Sequence, residues 1–209
     1  MIGSVLRILE FETPLADVEI DALLRDQIAP NPDGITGLSR TLVGRRLTNS
    51  SRRYLVATVW DNRDAMEAAV LNGEVAVYQT PFARYLGNAS LVAVDLAAGW
   101  WSSELDRLST IRLFRDADLA IGGSSSTGVG NPGVSSGDDP GPSACFIFSS
   151  NVTAERVMLA GWPRVGQDPM GSPMPTEALE LLDRIEAMIE AGLGTQYEVV
   201  GDRATRLSG

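Results

Sequence analysis

Two segments of this chain share one pattern at a spacing of 102 residues. Residues 49–60 and 151–162 both begin with Asn, pass through an apolar stretch and end in Trp. A third landmark has nearly the same spacing, because the stretch that ends at Phe11 resembles the one that ends at Phe114, 103 residues later. Self-similarity at a fixed spacing is the signature of an internal repeat. The spacing is about half of the 209-residue chain, so it predicts a fold made of two similar units.

The first copy, residues 1–101, predicts a complete unit of alternating elements. Apolar residues at the strand period predict strands, and apolar residues three and four apart predict helices. The predicted order is strand, helix, strand, strand, helix, strand, which is the order of a ferredoxin-like unit. The strands are predicted at residues 5–12, 38–47, 53–60 and 90–96, and the first helix at 15–28. The second helical region, 62–86, consists of two pieces: the first is capped by Asp61, and the second spans 75–86.

The second copy, residues 102–209, predicts a degenerate unit of the same kind. Its strands and its helix are predicted at residues 110–114, 144–148, within the segment 151–162, at 176–190 and at 195–200. Where the first copy has its first helix, this copy has the Gly/Ser-rich segment 122–143. Such a composition cannot bury apolar surface, so it predicts a long loop. The predicted fold class is α+β, with two β-α-β-β-α-β units whose sheets cover each other's bare faces.

The absence of two residue types restricts the chemistry. The chain has no His and no Lys, and all 17 basic residues are Arg. These absences exclude a Ser-His-Asp triad, a Cys-His pair, a Lys Schiff base, His-ligated metal and haem with a proximal His. The single Cys145 lies in an apolar run and predicts a buried structural thiol.

The charge balance predicts the kinds of partner. The formal net charge of −10 disfavours binding to nucleic acid or to anionic membrane. No apolar run approaches the length of a membrane span, and the first residues do not have the pattern of a signal peptide. We therefore expect a cytoplasmic protein with no nucleic-acid or membrane partner.

One strand-to-helix junction carries a resemblance to a known family. Residues 56–66 read Val-Ala-Thr-Val-Trp-Asp-Asn-Arg-Asp-Ala-Met, and they follow the segment Gly-Ile-Thr-Gly-Leu at 34–38 and the predicted hairpin. In this combination residues 4–97 resemble the antibiotic biosynthesis monooxygenase domain of the dimeric α/β-barrel superfamily. The resemblance implies ferredoxin-like units that pair into a barrel, each with a ligand pocket between its sheet and its helices. A tandem copy in one chain implies a fused pseudo-dimer.

The same resemblance implies the site residues. In quinone-forming members the pocket holds a Trp at the junction, an Asn four residues before it, a Tyr six after it and an Arg on the second helix. Here Trp60 matches, Val56 and Met66 replace the Asn and the Tyr, and Arg84 stands for the Arg after a gap. The implied catalytic residues are Trp60 and Arg84, and the implied substrate-binding residues are Tyr78, Phe82, Tyr85, Met66 and Val56.

Alternatives stay open for several side chains. Tyr78 and Tyr85 could pack in the core instead of binding substrate. Trp60 could pack the helix against the sheet, line a pocket, or do both. Arg84 could be a solvated helix residue or an anchor for a phenolate or carboxylate. Arg7, on the first predicted strand, is expected to be paired or exposed, with a position facing a pocket as the alternative, because the sequence does not settle which face of the strand it occupies.

The function implied is an oxygenase of secondary-metabolite biosynthesis that acts on a bulky, polyketide-like aromatic in a mostly apolar pocket. No cofactor is required by the sequence, reduced flavin is compatible with it, and haem is not expected because His is absent. A small aromatic substrate is the expected partner, and the chain is expected to be a pseudo-dimeric monomer or a homo-oligomer. The alternative is a non-catalytic module of the same fold that binds a hydrophobic metabolite or serves as a scaffold.

Overall fold

The computed structural model describes residues 3–24, 29–47, 52–75, 87–101, 108–115, 118–119, 144–149, 156–163 and 176–204. The chain divides into two compact units. Unit 1 consists of Met1–Leu96 and Tyr197–Gly209, and unit 2 consists of Ala97–Gln196. The division of the sequence into two repeat copies, 1–101 and 102–209, stays a prediction.

The fold is α+β and mostly antiparallel sheet. The strands are β1 (Val5–Glu12), β2 (Leu38–Leu47), β3 (Arg52–Trp60), β4 (Gly87–Trp101), β5 (Leu108–Arg115), β6 (Ala144–Ser149), β7 (Arg156–Pro163) and β8 (Thr195–Ala204). The α-helices are α1 (Asp17–Leu23), α2 (Arg63–Leu71) and α3 (Thr176–Glu190), and a 3-10 turn spans Pro32–Gly34. None of the helices in the described part of the chain is long and apolar enough to cross a membrane.

Unit 1 is an antiparallel sheet with the strand order β4-β1-β3-β2-β8. Helix α1 lies between β1 and β2 in the chain, and α2 lies between β3 and β4. Strand β1 is central and buried along almost its whole length, because apolar residues occupy both of its faces. We call the face of this sheet that contacts α1 and α2 the helix-facing side.

Two apolar clusters cover the helix-facing side of unit 1. In the first, Ile20 and Leu24 from α1 and its C-cap pack on Leu9, Phe11 and Val43. The rings of Phe11 and Tyr54 stack within this cluster, with centroids 5.8 Å apart. In the second, α2 packs its buried residues against the opposite end of the same strands; its members are Val5, Leu38, Trp60, Met66, Ala69 and Val75. Each helix therefore covers one end of the sheet.

Unit 2 contains a three-stranded antiparallel sheet in the order β5-β7-β6. Helix α3 buries Ile185 and Met188 against the sheet residues Phe114, Met158 and Ala160. The turn after α3 also contacts this core closely. Gly194 has a φ of +79°, and a Cβ there would lie 2.6 Å from the ring of Phe114.

Most predicted elements have the predicted type and position. The structure corrects the start of α2, where Asn62 rather than Asp61 is the N-cap: its Oδ1 accepts a hydrogen bond of 2.8 Å from the Ala65 amide. The last strand, predicted at 195–200, spans Thr195–Ala204, and its residues 198–204 pair with β2 of unit 1. The predicted loop at 122–143 and the predicted helical residues 76–86 lie outside the described residues.

Candidate functional site

A row of polar residues crosses the helix-facing side of unit 1 between the two apolar clusters. Arg7 of β1 lies opposite Thr58 of β3, and Thr58 lies opposite Thr41 of β2. The row continues to Ala93 on β4 and to Arg203 on β8. Directly opposed residues of an antiparallel pair share a face, so these side chains project to the same side of the sheet. We call Arg7, Thr58 and Thr41 the polar row.

The rows on either side of the polar row are mostly apolar. Toward α2, Val5 lies opposite Trp60, which lies opposite Leu38. Toward α1, Leu9 lies opposite Val56, which lies opposite Val43. The polar row is therefore the seam between the part of the sheet covered by α1 and the part covered by α2.

Arg7 is a buried residue of this seam. Only 6% of it is exposed. It is not exposed, and it has interactions beyond the backbone pairing described above, in line with the expectation that it would be paired or exposed. The sequence contains a signal for this burial. Leu6 and Ile8, on the face of β1 opposite to Arg7, are apolar, which predicts that both faces of the strand are covered. An Arg in such a strand is covered whichever face it occupies.

The indole of Trp60 is fully buried and fixed by a hydrogen bond. Its Nε1 donates to the Thr58 hydroxyl at 2.9 Å. That hydroxyl in turn donates to the Arg7 carbonyl oxygen at 3.4 Å. Packing and pocket lining were both open for Trp60, and the contacts place it in the α2 cluster beside Met66. Trp60 therefore joins the polar row to the apolar cluster.

The third member of the polar row holds the chain segment after α1 against the sheet. The hydroxyl of Thr41 donates a hydrogen bond of 2.9 Å to the carbonyl oxygen of Pro30. Thr41 is 1% exposed, so this bond is shielded from water. Both threonine hydroxyls therefore donate hydrogen bonds to main-chain carbonyls. Arg7 is the charged residue of the polar row.

Helix α2 is positioned over the Trp60 end of the sheet by contacts at its start. Arg63 donates from Nη2 to Oδ1 of Asp95 on β4 at 2.7 Å. The turn before β2 reaches the helix through Gly37, whose φ is +78° and where a Cβ would lie 2.5 Å from the Cβ of Ala65. The carbonyl of Gly37 also accepts a hydrogen bond from the Asp61 amide at 2.8 Å. These contacts fix the distance between α2 and the sheet.

The predicted site residues are distributed as follows. Trp60 and Met66 meet in the α2 cluster, whereas Val56 belongs to the α1 cluster on the far side of the polar row. The remaining predicted residues, Tyr78, Phe82, Arg84 and Tyr85, lie outside the described residues and stay predictions. Sequence reasoning missed Arg7, Thr58 and Thr41 as a set, because their alignment depends on strand register.

The opposite face of the unit 1 sheet carries two further buried polar pairs. The Tyr197 hydroxyl donates a hydrogen bond to Oε1 of Glu10. Burial and this carboxylate raise the pKa of Tyr197 above its ordinary value of 10.0. Arg40 donates from Nε and Nη2 to the two carboxylate oxygens of Asp202 at 2.9 and 2.7 Å. Both pairs join β8 to the rest of the sheet.

Unit 2 has an arginine at the position that corresponds to Arg7. Arg112 lies opposite Ala160, two residues before Trp162, just as Arg7 lies opposite a residue two before Trp60. Arg112 donates to the Leu193 carbonyl at 3.4 Å and to Oε1 of Gln196 at 2.9 Å. Burial lowers the pKa of Arg112 below its usual value. Arg7 and Arg112, which correspond by strand register, are 105 residues apart. Phe11 and Phe114, which correspond by sequence similarity, are 103 residues apart, so the two ways of aligning the first strands differ by two residues.

Within the described ranges, no three or more Cys, Asp or Glu side chains lie close enough together to hold a metal ion. No protein-family model matches the chain, and neither does the sequence of any curated protein.

Solved structures resemble the chain over nearly its whole length. One is a provisionally named monooxygenase from Fusobacterium nucleatum subsp. nucleatum, with a TM-score of 0.60 and 6% identity over 98% of this chain and 95% of that chain. Another is a provisionally named monooxygenase from Lactobacillus acidophilus NCFM, with a TM-score of 0.55 and 10% identity over 97% of this chain and 96% of that chain. At these identities the likeness shows a shared fold.

Proposed function

We propose that this protein is an oxygenase that acts on a bulky, polyketide-like aromatic in the layer between the sheet and the helices of unit 1. The observation that carries the proposal is the fold shared with two provisionally named monooxygenases along almost the entire chain. We propose further that the two halves are tandem ferredoxin-like units of a fused pseudo-dimer. The strand order β4-β1-β3-β2, with a helix after β1 and another after β3, supports this for the first half.

The proposed chemistry suits a chain without His or Lys. An electron-rich phenolic substrate loses a proton and, as the anion, passes an electron to O₂. A ring CH₂ group then becomes a carbonyl: the carbon gains one oxygen atom, and its two hydrogens leave with the other oxygen atom as water. The protein supplies an apolar site and a fixed positive charge, which stabilise developing negative charge better than water does.

The proposed roles follow the contacts where these are described. Trp60, which Thr58 holds in one orientation beside Met66, is proposed to form the floor of the site. Arg84 is proposed to stabilise the anionic oxygen, with Tyr78, Phe82 and Tyr85 along the substrate. The reaction is proposed to need no cofactor, and reduced flavin is the co-reactant to test beside it. We also propose that the protein acts in the cytoplasm, in secondary-metabolite biosynthesis.

The test is oxygen consumption with a tricyclic anthrone as substrate, with and without reduced flavin, and with product identified by mass. We expect wild-type protein to consume oxygen and to convert the ring CH₂ group into a carbonyl. Arg84→Ala is expected to slow turnover about 100-fold, the usual loss when a preorganised group facing developing charge is removed. Trp60→Phe is expected to weaken substrate binding.

Trp162→Phe is the matched control, because Trp162 occupies the corresponding strand end in unit 2. If Trp162→Phe alone impairs turnover, the working site lies in unit 2. If neither an anthrone nor an anthraquinol is ever oxidised, with or without reduced flavin, the protein is a non-catalytic binding module and the proposal fails.

A further inference from the structure

We propose that Tyr197 is a redox-active tyrosine, which gives one electron to an organic peroxyl radical while Glu10 takes the phenolic proton. The choice of the oxidant rests on the proposed function, because a phenolic anion that passes an electron to O₂ becomes a radical, which forms a peroxyl radical with a second O₂. The choice of the tyrosine rests on its contact with Glu10. The pair lies on the face of the unit 1 sheet opposite to α1 and α2, outside the substrate site proposed above.

The first step of the argument is the burial of the phenol. Tyr197 is 0% exposed, and Glu10 is 7% exposed. A tyrosyl radical in contact with solvent is lost quickly, because it couples with a second radical or reacts with solutes. A ring that no solute reaches does not undergo these reactions. Burial therefore gives an oxidised Tyr197 time to be reduced again, and an electron reaches it through packed protein without contact between the ring and the oxidant.

The second step is the path of the proton. The hydroxyl of Tyr197 donates a hydrogen bond to Oε1 of Glu10. Burial and this carboxylate raise the pKa of Tyr197, so the phenol keeps its proton at neutral pH as long as the ring keeps its electrons. Loss of an electron makes the phenol a strong acid, because positive charge on the ring weakens the O–H bond. The proton then passes along the existing hydrogen bond to Glu10, and a base held in this position speeds its removal.

The third step is the place of this contact in the sheet. In the strand order β1-β3-β2-β8, two strands separate Glu10 from Tyr197. The hydrogen bond therefore crosses the face of the sheet and is separate from the main-chain pairing of β8 with β2. Arg53 and Arg46 also act on the phenol, and their positive charges lower its pKa against the effect of burial. These cations favour loss of the proton once the ring is oxidised.

The proposed exchange moves one electron and one proton. The O–H bond of Tyr197 breaks, an O–H bond forms at Oε1 of Glu10, and the phenol becomes a neutral tyrosyl radical. The peroxyl radical gains the electron and becomes a peroxide anion, which takes a proton from water and forms a hydroperoxide. A phenolate anion of the substrate then returns an electron to the ring and becomes a radical, and Glu10 returns the proton. The pair is thereby restored, and the peroxyl radical has been removed before it attacks the protein.

The first experiment uses an external oxidant, so it is independent of turnover. A laser flash converts tris(bipyridine)ruthenium(II), with pentaamminechlorocobalt(III) as the electron acceptor, into its ruthenium(III) form, which takes one electron from the protein. Transient absorption and electron paramagnetic resonance then detect tyrosyl radicals at neutral pH. We expect the wild type to form a long-lived neutral tyrosyl radical at a rate that does not depend on buffer concentration, because Glu10 takes the proton.

Three variants assign the radical to the pair. Tyr197→Phe should lose the long-lived signal. Tyr54→Phe is the matched control and should keep it, because Tyr54 is equally buried but stacks on Phe11 in the α1 cluster. Glu10→Gln retains a hydrogen-bond acceptor but cannot take the proton, so the radical should form about 100-fold more slowly, the usual loss when a positioned base is removed. Circular dichroism checks that each variant is folded.

A long-lived radical that survives in Tyr197→Phe, or that forms as fast in Glu10→Gln as in the wild type, overturns the inference. So does a rate in the wild type that increases in proportion to buffer base, and this measurement needs no variant to fold. The same signal should appear in wild-type protein frozen during oxygen consumption with an anthrone, and its absence there overturns the assignment of the oxidant. A radical that depends on Tyr197 and Glu10 in a protein that consumes no oxygen supports the redox-active pair while the proposed oxygenase function fails.

Discussion

The indole Nε1 of Trp60 donates a hydrogen bond of 2.9 Å to the hydroxyl of Thr58, two residues earlier on the same face of β3. Both residues are almost fully buried, so no solvent competes for this bond. The hydroxyl in turn donates a hydrogen bond of 3.4 Å to the Arg7 carbonyl oxygen. One threonine therefore sets the orientation of the aromatic ring and joins it to the strand that carries the buried cation.

Thr58→Val tests this arrangement, because valine keeps the shape of threonine and loses the hydroxyl. The buried indole N–H would then have no acceptor at this position. We expect the free energy of unfolding to fall by about 1–3 kcal/mol, the cost of an unsatisfied buried donor. Urea denaturation measures this loss, and Thr58→Ser, which keeps the hydroxyl, should lose clearly less. Equal losses in the two variants would show that the methyl group matters more than the hydrogen bond.

The sequence predicts this region only in part, and β1 shows why. Its bounds, residues 5–12, follow from the density of apolar residues. The face occupied by Arg7 does not follow, because Val5 and Leu9 on one side and Leu6 and Ile8 on the other are all apolar. Period-2 alternation assigns faces only when one of them is polar. The opposition of Arg7 and Thr58 requires the register of two strands that lie 51 residues apart in the chain.

The ion pair between Arg40 and Asp202 gives a second prediction. It joins β2 to β8, and the two side chains are 7% and 3% exposed. Removing one partner leaves the other charge buried, so Asp202→Asn should cost about 3–5 kcal/mol of unfolding free energy. Replacing both residues by Met and Leu should recover much of the loss, because no buried charge remains.

The pair Arg63 and Asp95 is the control for that measurement. Its side chains are 35% and 32% exposed, so water and salt screen the interaction. Asp95→Asn should therefore cost no more than about 1 kcal/mol in the same denaturation assay. If Asp95→Asn costs as much as Asp202→Asn, burial is not what makes the Arg40 pair important.

Gly37 gives a third prediction, which concerns the packing of α2 against the turn before β2. Its φ of +78° favours glycine, and an added Cβ would meet Ala65 of α2 at 2.5 Å. Gly73 has nearly the same φ, +76°, but an added Cβ there meets nothing within 4 Å. Gly73→Ala should cost about 1–2 kcal/mol for the left-handed conformation alone, and Gly37→Ala about 1–3 kcal/mol more because α2 must shift. Equal losses by thermal or urea unfolding would exclude a role for the contact with Ala65.

The candidate site shows a different limit of sequence reasoning. The junction at Trp60 is identified from a local pattern, and the resemblance implies Met66 as the replacement of the family's Tyr six residues later; the structure places the two in one cluster. The same resemblance implies Val56 as the replacement of the family's Asn four residues before the Trp, yet four residues along a strand span about 13 Å. That distance is enough for Val56 to reach the α1 cluster instead. A short separation in sequence therefore overstates proximity along a strand.

The buried pair of Tyr197 and Glu10 predicts how stability depends on pH. Burial and the neighbouring carboxylate disfavour the phenolate, so the pKa of Tyr197 is raised in the folded protein above the ordinary value of 10.0. Below about pH 10 the phenol is protonated in both the folded and the unfolded states, and its contribution to stability is constant. Above that pH the unfolded chain releases the proton and the folded protein retains it. The contribution therefore decreases as the pH rises from about 10 toward the folded pKa.

Denaturation of wild-type protein and Tyr197→Phe between about pH 7 and pH 11 tests this dependence. At neutral pH the variant should be less stable by about 1.5–3 kcal/mol, because the carboxylate of Glu10 loses the hydrogen bond from the tyrosine. The difference should stay constant up to about pH 10 and then shrink, because only the wild type gains an ionised Tyr197 on unfolding. Ultraviolet difference titration should show, over the same range, one tyrosine that ionises only when the wild-type protein unfolds. A stability difference that is unchanged up to about pH 11 would mean that Tyr197 ionises with an ordinary pKa in the folded state.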